Sequence, residues 1–120
     1  MAQHVVDRSA LVDYVLDQLE GFGASTRRMF GGTALYRGDA MFGFAYHDRI
    51  YFKIDDRNRE DYTQAGMEVL IYAPDKTAQR IGSLMEVPAD VLEDSDELAE
   101  WAAKAVNAAR ASKPHQSRIG

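Results

Sequence analysis

The sequence predicts an α+β domain of two layers, a five-stranded antiparallel sheet with helices, in the order α-β-β-β-α-β-β-α. Three observations carry that reading. Apolar residues recur at helical spacing near both ends of the chain, over residues 9–20 and 94–111. Between them, residues 24–55 alternate as strands do. That stretch is also cut by the turn signals Gly31-Gly32, Gly38-Asp39 and His47-Asp48.

In the first helix Leu11, Val12, Val15, Leu16 and Leu19 form one stripe, Ser9 is the expected N-cap, and Gly21 or Gly23 is the stop. Asp13, Asp17 and Glu20 fall on the solvated face. A strand is expected over 33–37, starting as early as Ser25 and bending at the glycines. Two more follow over 40–46 and 49–54. Two-residue hairpin loops would set their register. Tyr36, Met41, Gly43, Ala45, Ile50, Phe52 and Ile54 then share one face, which should carry the core, with Gly43 admitting a helix. Leu35, Phe42, Phe44, Tyr46 and Tyr51 share the other, with Arg37, Arg49 and Lys53.

Asp55 or Asp56 caps a short helix that ends at Gly66. Strands over 67–73 and 78–87 are joined through Pro74-Asp75-Lys76-Thr77. Pro88 opens one helical turn, and Asp94 with Glu97 makes a capping-box start for the last helix. Leu98, Trp101, Ala102, Ala105, Val106 and Ala109 are its apolar stripe. Residues 1–111 therefore read as one domain, and 112–120 as a disordered polar tail.

A chain of 120 residues buries about two-thirds of its unfolded surface, enough for a core without metal or disulfide staples. With no cysteine, thiol catalysis, thiolate metal sites and disulfides are excluded. A net charge of −5 argues against a global polyanion-binding surface. No apolar run approaches a membrane span, and the first residues carry no secretory signal. The expected location is the cytoplasm, with no membrane partner.

The usual signatures of catalysis are missing. His4, His47 and His115 show no metal-ligand spacing. Residues 55–61 lack the ligand pattern and the central glycine of a calcium loop. Carboxylates from Asp90 to Glu100 suit a helix start through the helix dipole. Gly31-Gly32 is no phosphate loop, and no serine has a nucleophile-elbow context. Arg27 and Arg28, beside Met29, Phe30, Gly31 and Gly32, are the residues best suited to an anion or partner site. Strand alternation instead sends the two guanidiniums to different surroundings.

The run Arg27-Arg28-Met29-Phe30-Gly31-Gly32, followed by Ala34-Leu35-Tyr36, resembles the signature of the TfoX N-terminal domain family, whose founding members regulate natural competence in bacteria. The likeness continues through residues 50–55, 65–68, Glu86-Val87-Pro88 and Glu97-Leu98…Trp101-Ala102. The resemblance implies an α-β(3)-α-β(2)-α fold with no known enzymatic activity and no cofactor. Longer members carry a second, C-terminal domain. Leu84-Met85 stand where the family often has aromatics.

The leading expectation is a non-catalytic regulatory or protein-interaction module without metal or cofactor. Its partners would be an unidentified protein and a second copy of itself. The dimer face would be Leu35, Phe42, Phe44 and Tyr51, rimmed by Lys53 with Arg37 and Arg49. The rival is a single-stranded nucleic-acid binder that stacks bases on Phe42, Phe44 and Tyr51. An uncharacterised enzyme stands third.

Overall fold

The computed structural model describes residues 3–75 and 77–112, with side chains from residue 10 onward. The expected tail over 113–120, with His115, and the side chain of His4 lie outside the described residues. The elements run α1 (Gln3–Gln18), β1 (Ala24–Met29), β2 (Gly32–Arg37), β3 (Ala40–Tyr46), β4 (Arg49–Lys53), α2 (Arg59–Gln64), β5 (Val69–Tyr72), β6 (Gln79–Glu86), α3 (Ala89–Leu92) and α4 (Ser95–Ala111). Every neighbouring strand pair is antiparallel, and the sheet order is β1-β2-β3-β4-β6-β5.

The sheet thus has six strands rather than five. The chain does not bend near Gly31 but reverses there, with Met29 paired to Gly32 across a two-residue turn. Phe30 and Gly31 both take positive φ, 53° and 74°. A two-residue loop of this type matches the twist of its flanking strands when both central residues are left-handed. Phenylalanine rarely adopts that conformation, so the Gly31-Gly32 signal pointed to a bend and not to a reversal at Phe30-Gly31. Ser9 is not an N-cap either: α1 starts at Gln3, and Ser9 lies inside it. Serine inside a helix costs only a few tenths of a kcal/mol, so its presence does not mark a start.

The other turns and caps follow the expected chemistry. Arg37 pairs with Ala40 and Tyr46 with Arg49, so both later hairpins have two-residue loops. The Asp94 side chain accepts a hydrogen bond from the Glu97 backbone N–H at 3.1 Å. At α2 the N-cap position falls to Asn58 instead of Asp55 or Asp56. The Asn58 side chain is 2% exposed, accepts from the Asp55 N–H at 2.8 Å and donates to the Lys53 carbonyl at 3.1 Å, tying the end of β4 to the following loop. Arg57 grips Asp55 beside it at 2.6 Å, and that hydrogen bond holds the Asp55 carboxyl below the ordinary range.

One irregularity re-sorts the sheet faces. Leu35 pairs with Gly43, but Tyr36 pairs with Met41, so Phe42 has no residue opposite it. Such a bulge breaks the two-residue alternation. Leu35 and Phe42 therefore join the helix-covered core, while Tyr36 and Met41 pack against the cluster on the other face, the reverse of the expected assignment. Gly43, Ala45, Ile50, Phe52 and Ile54 keep the positions the hairpin register predicts. Gly43 leaves no room for a side chain: a Cβ there would stand 2.9 Å from the Tyr51 carbonyl oxygen and 3.0–3.1 Å from side-chain carbons of Phe52 and Leu35.

The main core lies between the sheet and the helices. Val15 from α1, Leu19 from the turn that follows it, Val91 from α3, and Leu98, Ala102, Ala105, Val106 and Ala109 from α4 meet Leu35, Phe42, Ile50 and Phe52. Each large side chain buried there contributes about 1.5–3 kcal/mol. Tyr62 of α2 belongs to this core and packs edge-on against Trp101 at 4.7 Å, yet its hydroxyl has no hydrogen-bond partner among the described residues. Burial also pushes its pKa far upward. An unsatisfied buried hydroxyl costs about 1–3 kcal/mol. Tyr62→Phe is therefore expected to raise stability by about 1 kcal/mol, read as a higher urea midpoint with an unchanged slope. A loss of stability would show that the hydroxyl is in fact satisfied.

The second face is not flat. In a flat sheet β5 would lie about 20 Å from β2, four strand spacings away. Instead the Tyr72 hydroxyl of β5 donates to the Phe30 carbonyl at the tip of the β1–β2 hairpin, at 3.0 Å. The Tyr46 and Tyr72 rings lie 5.3 Å apart. The sheet coils until its two ends meet across the face away from the helices, and that coil shapes the surface below.

Candidate functional site: the signature hairpin and the concave sheet face

Strand alternation separates the two arginines of the signature. The Arg27 guanidinium lies 5.2 Å from the centroid of the Tyr36 ring. Arg28 lines a cleft of about 270 Å³ between α1 and the hairpin, with Asp13, Thr26, Thr33 and His47. Neither arginine forms an ion pair among the described residues. The two do not converge on one anion, so a joint anion site at Arg27 and Arg28 is not formed. Met29 packs against the second-face cluster.

Phe30 is the large apolar residue of the signature that the structure exposes. Its side chain is 67% accessible although its backbone is left-handed, and its ring meets Tyr72 edge-on at 6.5 Å. Gly31 supplies the second left-handed turn position. Gly32 answers a different need, because a Cβ there would collide with the Ala45 carbonyl oxygen and stand 2.7 Å from Phe44 Cζ.

The coiled face encloses a concavity of about 350 Å³, with Phe30 and Tyr72 at one side and Met41, Phe44, Leu70 and Leu84 along its walls. Lys53 lines it as well, across the β4–β6 ladder from Leu84. Between Val69 and Leu70 the β5–β6 register jumps from Met85 to Ile81. Residues 82–84 therefore lack a β5 partner, and the strands splay where the concavity opens.

This geometry corrects the expected dimer face. Leu35 and Phe42 are fully buried under the helices, while Phe44 is 3% and Tyr51 7% exposed. Of the five residues, Lys53, Phe44 and Tyr51 share the second face, but they form no open apolar patch. The basic residues disperse too. Arg37 stacks 4.3 Å from the Phe22 ring centroid, and Arg49 pairs with Glu86 at 3.0 Å. The base-stacking platform of the nucleic-acid reading is likewise absent from these positions.

Sequence reasoning missed Leu70, Tyr72, Ile81 and Leu84 as neighbours of Phe44. Leu70 and Tyr72 do alternate along β5, the signal available, but nothing local says that β6 docks beside β4. Among the described residues no group of three or more His, Asp or Glu side chains could hold a metal ion. Among them also, no helix is long and apolar enough to cross a membrane.

A coiled antiparallel sheet, helices on its convex side and an apolar hollow on the other define a small two-layer α+β domain. The chain belongs to the TfoX N-terminal domain family, whose model matches residues 17–109. That match contains the signature hairpin, the second-face cluster, the main core apart from its α1 residues, and nearly all of α4. No curated protein matches the chain.

Proposed function

We propose that this chain is a cytoplasmic, non-catalytic regulatory module that works by protein contact through the tip of the β1–β2 hairpin. Family membership supports a regulatory or competence-related role. The observation that carries the contact surface is Phe30, a large aromatic ring held 67% exposed on a left-handed backbone. A non-glycine residue in that region costs about 1–3 kcal/mol, and such strain concentrates at functional positions. Asparagine or glycine would serve the turn better. An exposed aromatic beside Arg28 instead resembles the anchor residues of protein interfaces.

Phe30→Asn separates function from folding. Asparagine tolerates the left-handed turn, and that gain offsets the lost edge contact with Tyr72, so stability should stay within about 1 kcal/mol. Capture of proteins from the native cell extract by the immobilised chain should fall at least about tenfold for the partner set. An identical captured set for both proteins would refute contact through this residue.

A further inference from the structure

We propose that the concave face of the sheet binds a small amphipathic monocarboxylate, its apolar body held among Met41, Phe44, Leu70, Ile81 and Leu84 and its carboxylate on the Lys53 ammonium. The site differs from the protein contact above in its charged anchor: Lys53 carries it, while Phe30 borders one side of the hollow.

Three features point to this ligand class. The hollow measures about 350 Å³, near the lower end of the range for small-molecule sites, and its walls are mostly apolar. Lys53 is half-buried at its lining, and its ammonium has no hydrogen bond or ion pair among the described residues. Burial lowers its pKa below the ordinary lysine range, and no neighbouring acid counters that effect. Of the other four sheet cations that the sequence pattern singled out, three have partners, Arg27 on Tyr36, Arg37 on Phe22 and Arg49 on Glu86, and Arg28 lines the separate cleft beside α1.

Charge arithmetic sets the ligand's head group. A cation taken partly out of water is unfavourable until an anion meets it, and in an apolar setting the two charges should match in number. One ammonium matches one carboxylate. A phosphate dianion would need further cations, and none lines the hollow. Gln79 and Ser83, also at the lining, add neutral hydrogen-bonding groups for the second carboxylate oxygen. The apolar walls set the tail, because each methylene moved out of water against them adds to affinity.

Decanoate is the probe, and methyl decanoate is its uncharged counterpart. Titration calorimetry of the native chain should show saturable one-to-one binding of decanoate, about tenfold or more tighter than the ester. Amide shifts in β4 and β6 should follow the same isotherm. Lys53→Met should remove the preference for acid over ester, and Lys53→Arg should restore it. Lys53→Met should also melt no lower than the native chain, since methionine suits an apolar wall better than an unpaired ammonium. No saturable decanoate binding up to about 1 mM would overturn the proposal. So would equal affinity for acid and ester in the native chain. Amide shifts at Leu70, Ile81 and Leu84 that depend on protein concentration and resist decanoate would assign the hollow to a second copy instead. Lys53→Met should leave the set of proteins captured from cell extract unchanged, so failure of the protein-contact reading and failure of this one give different results.

Discussion

Phe42→Ala is expected to destabilise the chain by about 3–5 kcal/mol, the largest loss from truncating any single side chain in the sheet. Phe42 is fully buried, and its ring stands edge-on to both Phe22 and Phe52, each at 5.5 Å. Arg37 covers the far side of Phe22 at 4.3 Å. Truncation opens a cavity beneath the helices and removes two aromatic contacts worth about 0.5–1.5 kcal/mol each. Urea or guanidinium denaturation would show the midpoint falling with the slope unchanged. The result tests the bulge between β2 and β3 directly. Without it, alternation from Phe44 would turn Phe42 away from the helices. A loss below about 1 kcal/mol, typical of a surface site, would contradict the register shift.

Gly32→Val is expected to cost at least about 3 kcal/mol, lowering the melting temperature by roughly 10–20 °C. The φ at Gly32 is not in the left-handed region, so the cost is steric. A Cβ collides with the Ala45 backbone oxygen, which cannot move without breaking the β2–β3 ladder, and with the buried Phe44 ring. Gly31 lies next to it and differs in kind. Its φ of +74° strains any side chain, but a Cβ meets nothing within 4 Å. Gly31→Ala should therefore cost only about 1–2 kcal/mol. Gly82 in β6 has neither constraint, and Gly82→Ala should be neutral or slightly stabilising. Calorimetry of the three variants should rank them in that order. An equal loss at Gly31 and Gly32 would mean that turn conformation alone sets the requirement.

Much of the chain was readable without tertiary information where a residue's preference is local. The Gly38-Asp39 and His47-Asp48 turns, the helical turn after Pro88 and the Asp94 cap on α4 all stand where short-range chemistry places them. The six signature residues marked this stretch as noteworthy, but as one strand bending at its glycines rather than as a hairpin. The Phe30-Gly31 reversal was not readable, because phenylalanine there opposes its own backbone preference and tertiary contacts hold it. The hydrogen bond from Tyr72, 42 residues away, is one of them.

The sheet faces show the same division. Alternation across the β3–β4 hairpin correctly sorted Ala45, Ile50 and Phe52 from Phe44 and Tyr51, because a two-residue loop dictates register. Across β2 and β3 it failed at one inserted residue, and that one residue reversed Leu35, Tyr36, Met41 and Phe42 together. An open apolar face was expected from Phe44 and Tyr51. The coil of the sheet and the β6–β5 hairpin bury them instead.

By itself, then, the sequence determined the class of fold and the positions of most elements, and its signature run marked the family. The first two follow from periodicity, turn residues and caps, which act over a few residues. Tertiary structure alone decided which face each aromatic occupies, how far the sheet coils and that Lys53 stands without a counter-charge in an apolar hollow. Each of these depends on packing between segments far apart in the chain. One extra residue in a ladder, or one hydrogen bond between distant strands, is enough to redirect them.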